Sequence, residues 1–103
     1  SVWSEYGKEH SYQDEEVLKK YDFVRNVLIR RRWSLVWDVG CNTGTFSRLS
    51  AKHADYVLAL DGDQLVLDRL YSELKREGCQ RILPLVVDLN TYRFRIIPCE
   101  LPL

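Results

Sequence analysis

One hundred and three residues suffice for a single domain with one modest core. With 46% hydrophobic residues and 15 basic side chains against 15 acidic ones, the chain reads as folded rather than disordered, and its zero net charge supplies no global field toward nucleic acid or a membrane surface. No apolar run is long enough to span a bilayer, and no basic segment followed by an apolar one marks a secretory leader. Cys41, Cys79 and Cys99 lie far apart without C-x-x-C spacing, which suits reduced thiols in the cytoplasm better than a disulfide framework or a zinc site.

In chain order, Ser1 to His10 mix aromatic and polar residues without a period and read as an irregular arm. Ser11 is placed to cap a helix, with Asp14 at the capping-box position. Val17, Leu18, Tyr21, Val24, Val27 and Leu28 then recur at helical spacing, predicting a helix to about Arg31. Arg30, Arg31 and Arg32 would form a solvated basic end, favourable to the helix dipole. Leu35 to Val39 is a short apolar strand carrying Asp38 near its end, followed by a turn from Gly40 to Gly44. Residues 45 to 53 predict a helix with Phe46 and Leu49 on one face. A second apolar strand, Tyr56 to Leu60, ends at Asp61. Asp63 can cap the next helix, whose stripe is Val66, Leu67, Leu70, Tyr71 and Leu74 and whose stop is Gly78. Ile82 to Val87 is a third strand, ending at Asp88.

A helix followed by β-α-β-α-β, with nearly continuous apolar strands, predicts an α/β fold: a Rossmann-like parallel sheet with helices on both faces. Right-handed crossovers give strand order 3-2-1. Pro84, which cannot donate to a ladder, agrees with an edge position for the third strand. The chain divides into an arm and helix (1–34), a βαβαβ unit (35–90) and a tail (91–103) with a candidate strand from Tyr92 to Ile97. The first strand has an open flank, to be filled by that tail, by a second copy of the chain or by further protein.

Three carboxylates, Asp38, Asp61 and Asp88, end three consecutive strands. Ligands of open parallel sheets bind beyond those ends, so all three face one crevice. Gly40 and Gly44 allow positive φ and close backbone approach, and the helix start beyond them offers N–H groups. A Walker loop is excluded, since no Gly-Lys-Ser/Thr follows. The dinucleotide fingerprint fits poorly, with Asn42 and Thr45 at its later glycine positions and the Asp38 anion beside the phosphate site. An anion there suits an ammonium group. Asp61 can accept from both ribose hydroxyls and Asp88 from an adenine amine, with the Leu89 N–H beside it. Amine, ribose and adenine together describe S-adenosylmethionine better than NAD.

Trp37 to Gly44, WDVGCNTG, resembles motif I of class I S-adenosylmethionine-dependent methyltransferases. Leu60 to Asp63 resembles their ribose-binding motif and Val87 to Leu89 their adenine-contacting motif. The strings VWDVGCNTGTFS and ILPLVVDL are similar to a bacterial group that includes nodulation host-specificity proteins of the NoeA type. The resemblance implies that Asp38 and the backbone of Gly40, Cys41 and Asn42, in the turn closed by Gly44, hold the methionine moiety. It implies that Asp61 binds the ribose, that Gly62 lies near the adenine, and that Asp88 and Leu89 contact its edge. Asn42 stands where the family usually has glycine, and the family's fourth strand and acceptor-facing motif have no counterpart. The resemblance therefore implies the cofactor half of a methyltransferase, for an unknown methyl acceptor. Two other readings stand beside it: a non-catalytic domain that binds a partner through its open edge, and, more weakly, an NAD-dependent oxidoreductase.

Overall fold

The computed structural model describes residues 12–88 and 93–96. Its elements are α1 (Tyr12–Leu28), β1 (Trp33–Val39), α2 (Thr45–Ala51), β2 (Ala54–Asp61), α3 (Gln64–Glu77), β3 (Ile82–Asp88) and β4 (Arg93–Ile96). The expected cap at Ser11, the arm before it and Leu89 lie outside the described residues. No helix among the described residues is long and apolar enough to cross a membrane.

Local chemistry sets the helix ends. Asp63 caps α3 as expected, its carboxylate accepting from the N–H groups of Leu65 at 3.0 Å and Val66 at 3.3 Å. Gly78, at φ 71°, closes the other end, and the next N–H, of Cys79, returns to the Leu74 carbonyl at 2.9 Å. The end of α1 departs from the sequence expectation. The helix stops at Leu28, and the indole N–H of Trp33 takes the freed Leu28 carbonyl at 3.0 Å. The three arginines consequently lie in the connection and not on the last turn. Arg31 stacks on the Trp33 ring at 4.3 Å, and Arg32 bonds Asp55 and the Ala54 carbonyl. That docking draws β1 and β2 two residues further back than their apolar cores suggest, to the pair Trp33 and Ala54. Trp33→Phe should therefore lower stability by about 0.5–1.5 kcal/mol, the usual worth of one hydrogen bond, measurable by urea unfolding; no change would remove the indole from this role.

The sheet order is β1-β2-β3-β4, with β1, β2 and β3 parallel. The 3-2-1 arrangement is as predicted, and β1 is an edge among the described residues. On one face, Val36, Val57, Ala59 and Ile82 meet Leu67, Leu70 and Leu74 of α3 in the main core. Loss of one of these fully buried leucines to alanine would cost about 2–5 kcal/mol. The opposite face carries Leu60, Leu85 and Val87 with Leu58 and Leu83, a cluster of strand residues alone. The helix cover expected on both faces is thus seen, among the described residues, on one. On that second face of β1, Leu35, Trp37 and Val39 are 47%, 58% and 59% exposed.

The tail strand corrects two expectations. Residues 93–96 pair antiparallel with β3, from Leu85 opposite Ile96 to Asp88 opposite Arg93, and do not cover β1. A short connection after Asp88 reaches the adjacent β3 edge as a hairpin; the β1 edge is two strands further away. So β3 is an interior strand, not the sheet edge inferred from Pro84. Among the described residues β4 pairs with β3 from Leu85 to Asp88, and Pro84, just before that stretch, has Ala59 of β2 as its ladder neighbour.

Candidate functional site

The turn after β1 is wound tightly onto the end of β2. Gly40, Asn42 and Gly44 all have positive φ, at 74°, 49° and 93°. Asparagine tolerates that geometry better than most residues, so its presence in place of glycine leaves the turn intact. The N–H groups of Gly40 and Cys41 both donate to the Leu60 carbonyl, at 2.7 and 2.9 Å. The Asn42 N–H donates to Oδ2 of Asp61 at 2.9 Å, and the Gly44 N–H to the Cys41 carbonyl at 2.9 Å.

The two glycines of the turn differ in what they serve. A Cβ on Gly44 would lie 2.7 Å from Cδ1 of Leu70, so that glycine is demanded by packing of the turn on α3. A Cβ on Gly40 would meet nothing within 4 Å. Beside Gly40 there is open space against the backbone.

Asp38 and Asp61 face this turn from neighbouring strands. Ser47, fully buried on α2, donates its hydroxyl to Oδ2 of Asp38 at 2.7 Å. Burial pushes the Asp38 carboxyl up from its ordinary value, the Ser47 hydrogen bond and the Lys20 charge oppose this, and the Asp61 charge reinforces it. Cys41 sits buried beside both acids, and burial together with their charges pushes its thiol up to about 12. That side chain is a neutral packing group, inert as a nucleophile at neutral pH. Asp61 also takes the Asp63 N–H on Oδ1 at 3.0 Å. Each of its oxygens therefore holds one backbone donor and keeps acceptor capacity for another.

The structure thus gathers Asp38, Gly40, Cys41, Asn42, Gly44 and Asp61 at the ends of β1 and β2. Gly62 follows directly, with the Val87 carbonyl 3.5 Å from where its Cβ would be. Asp88 is exposed at the end of β3, one strand away from Asp61. Two further residues support Asp38: Ser47, which escaped the sequence reading, and Lys20, which the sequence, like Tyr6, His10 and Tyr12, only places ahead of the motif where it could fold over the pocket. Ser47 holds Asp38; its signal was a small hydroxyl on the buried side of the helix after the turn. Lys20 offsets the Asp38 charge, from a groove of about 360 Å³ between α1 and β1 that also touches Val36, Gly40 and Phe46. Tyr6 and His10 lie outside the described residues.

The Asp38 shift has a consequence for stability. A carboxyl whose pKa is raised on folding binds more protons in the native state than in the unfolded one between the two values. Stability therefore falls as pH rises through that window and stays lower above it. Asp38→Asn, which keeps an acceptor for Ser47, should melt higher than the parent at neutral pH, the gain vanishing below the ordinary carboxylate value of about 4. Thermal melts at both pH values test this; a variant that melts lower at neutral pH would contradict it.

No family model and no curated protein matches the chain. Solved structures do. The Trypanosoma brucei PRMT1 enzyme-prozyme complex with AdoHcy superposes with a TM-score of 0.60 at 22% identity, over 70% of this chain and 23% of that one. An rRNA methylase from Streptococcus thermophilus gives 0.58 at 21% identity, over 75% and 43%. A precorrin 8w decarboxylase from Methanobacterium thermoautotrophicum gives 0.51 at 23% identity, over 63% and 38%. The chain spans less than half the length of each. These likenesses show a Rossmann-like α/β fold shared with class I methyltransferases, and a shared fold does not by itself carry activity.

Proposed function

We propose that this chain is the cofactor-binding part of an S-adenosylmethionine-dependent methyltransferase. The observation that carries the reading is the state of the turn after β1. Its N–H groups at 40, 41 and 42 are all consumed within the protein, and two carboxylates flank it. Such a crevice is poorly made for a pyrophosphate, which needs free N–H donors, and well made for a cationic head group. The implied role of the Gly40–Asn42 backbone is correspondingly narrowed to close approach and carbonyl oxygens. In this reading Asp38 faces the amino group, Asp61 accepts from the ribose hydroxyls, and Gly62, Asp88 and Leu89 border the adenine. The bound AdoHcy of the trypanosomal complex agrees with that ligand class. S-adenosylmethionine supplies an activated methyl group on a sulfonium, and this chain's part is to hold and align it. The acceptor and the residues that would face it are not among those assigned. The narrower kinship to NoeA-type proteins draws on the sequence strings alone.

Calorimetry with S-adenosylhomocysteine and with NAD tests the proposal. Saturable binding of the first and none of the second is expected; tighter NAD binding with no response to the adenosyl ligand would overturn it.

Among the described residues no strand pairs with the outer edge of β1, which favours a second reading, a domain that binds a protein partner. An apolar strand left open invites pairing with another chain. Light scattering over a range of concentrations should show self-association through this edge; a strictly monomeric chain would remove that reading.

A further inference from the structure

We propose that the cleft between α2 and α3 is a second binding site, for a small organic anion with an apolar body. The cleft encloses about 410 Å³, within the range of small-molecule sites, and it lies on the helix-covered side of the sheet. The α1 groove, by contrast, opens on Asp38 and Gly40 and belongs to the crevice already described.

The apolar part of the cleft comes from the first turns of α3. Leu65, Val66 and Leu70 line it, and Leu65 is 81% exposed. A leucine so exposed beside a concave surface gains by being covered, since apolar area is then removed from water. Opposite stand Thr43 and Thr45, whose hydroxyls are free donors for a ligand among the described residues.

The charge in the cleft sets the ligand's sign. Its charged lining residues are Arg48, Arg69 and Glu73. On α3, Arg69 and Glu73 are one turn apart and would ordinarily pair across it. Glu73 is instead turned to Arg48 of α2, at 3.4 Å, and Glu77 completes that clamp with two bonds of 2.7 Å. Arg48 is thereby held and matched, with its guanidinium further stabilised in the charged form by Glu77. Arg69 makes no ion pair among the described residues and is exposed at the cleft. The result is an apolar floor, two hydroxyls and one guanidinium, that of Arg69, with no ion-pair partner among the described residues. A guanidinium fork matches a carboxylate or a phosphate in two parallel hydrogen bonds. The ligand is accordingly a ring-sized apolar body bearing one such group.

NMR titration of the chain with phenyl phosphate, benzoate and benzyl alcohol tests the site. Both anions should shift the amides of Thr43, Thr45 and Val66 saturably, and benzyl alcohol should bind at least tenfold more weakly. Arg69→Gln, an exposed position outside the core, should weaken both anions at least tenfold and leave the alcohol unchanged. The ratio of phenyl phosphate to benzoate affinity assigns the anionic group. Equal binding of the alcohol, unaltered anion affinity in R69Q, or shifts confined to other parts of the chain would each overturn the proposal. The comparison between anions and alcohol on the parent chain decides the matter even if the variant fails to fold. The site does not depend on the adenosyl reading, since it shares none of the carboxylates of that crevice.

Discussion

Gly44→Ala is expected to destabilise the chain by about 2–4 kcal/mol, through two costs that act together. One is backbone strain at φ 93°, of order 1–3 kcal/mol for a residue with a Cβ. The other is overpacking, since the new methyl would stand 2.7 Å from a Leu70 methyl at the centre of the main core. Leu70 is 1% exposed and packed in the main core, so it can yield only by leaving that packing for the α2–α3 cleft that it lines. Gly78→Ala is the matched control. It carries the same kind of strain at φ 71° but meets nothing within 4 Å, and should cost only about 1–2 kcal/mol. Urea unfolding of the two variants, with m unchanged, gives the comparison directly. Equal losses at the two positions would mean that the Leu70 contact contributes nothing and that α3 is free to shift.

Asp61→Ala should weaken binding of S-adenosylhomocysteine by about 1.5–3 kcal/mol, the range for hydrogen bonds to a charged group. It should also loosen the turn, because the same carboxylate holds the N–H groups of Asn42 and Asp63. Both contacts are exposed, so water can replace them and the loss of folding stability should stay below about 1 kcal/mol. Asp61→Asn separates the two roles. It retains one oxygen acceptor of similar shape and should bind more tightly than the alanine variant while folding like the parent. Calorimetry and thermal melts on the same preparations read both quantities. Unchanged affinity with intact folding would take Asp61 out of the site, and collapse of the fold would show that its carboxylate is structural first.

Much of this chain was legible without coordinates. The period of α3 from Val66 to Leu74, its Asp63 cap and its Gly78 stop are local signals, fixed by residues within one or two turns of each other. The parallel order of the first three strands followed from alternation of strand and helix with a fixed crossover hand. Asp38 and Asp61 were identifiable because a residue at a strand's carboxyl end has its position set by the strand itself. Other features depended on partners distant in sequence. The end of α1 is set by Trp33, and the fate of Arg32 by Asp55. The pairing of β4 with β3 rather than β1 turns on which edge a short connection can reach. Pro84 signalled a missing ladder bond, which the sequence could not distinguish from a whole strand at the edge.

The sequence by itself determined the element types, their parallel order and the acids at the strand ends, since each rests on periodicity or on a residue's own place in its element. Only the tertiary structure decided what those residues have left to offer a ligand. Spacing alone leaves the N–H groups of Gly40 to Asn42 available; folding commits them to Leu60 and Asp61, residues about twenty positions away. It likewise decided that Ser47 and Lys20 moderate Asp38, and that Arg69 loses its neighbour Glu73 to Arg48. Hydrogen bonds and ion pairs are exclusive, short-ranged and settled by which groups the packed core brings within about 3 Å of one another, and that outcome is not written in any local stretch of the chain.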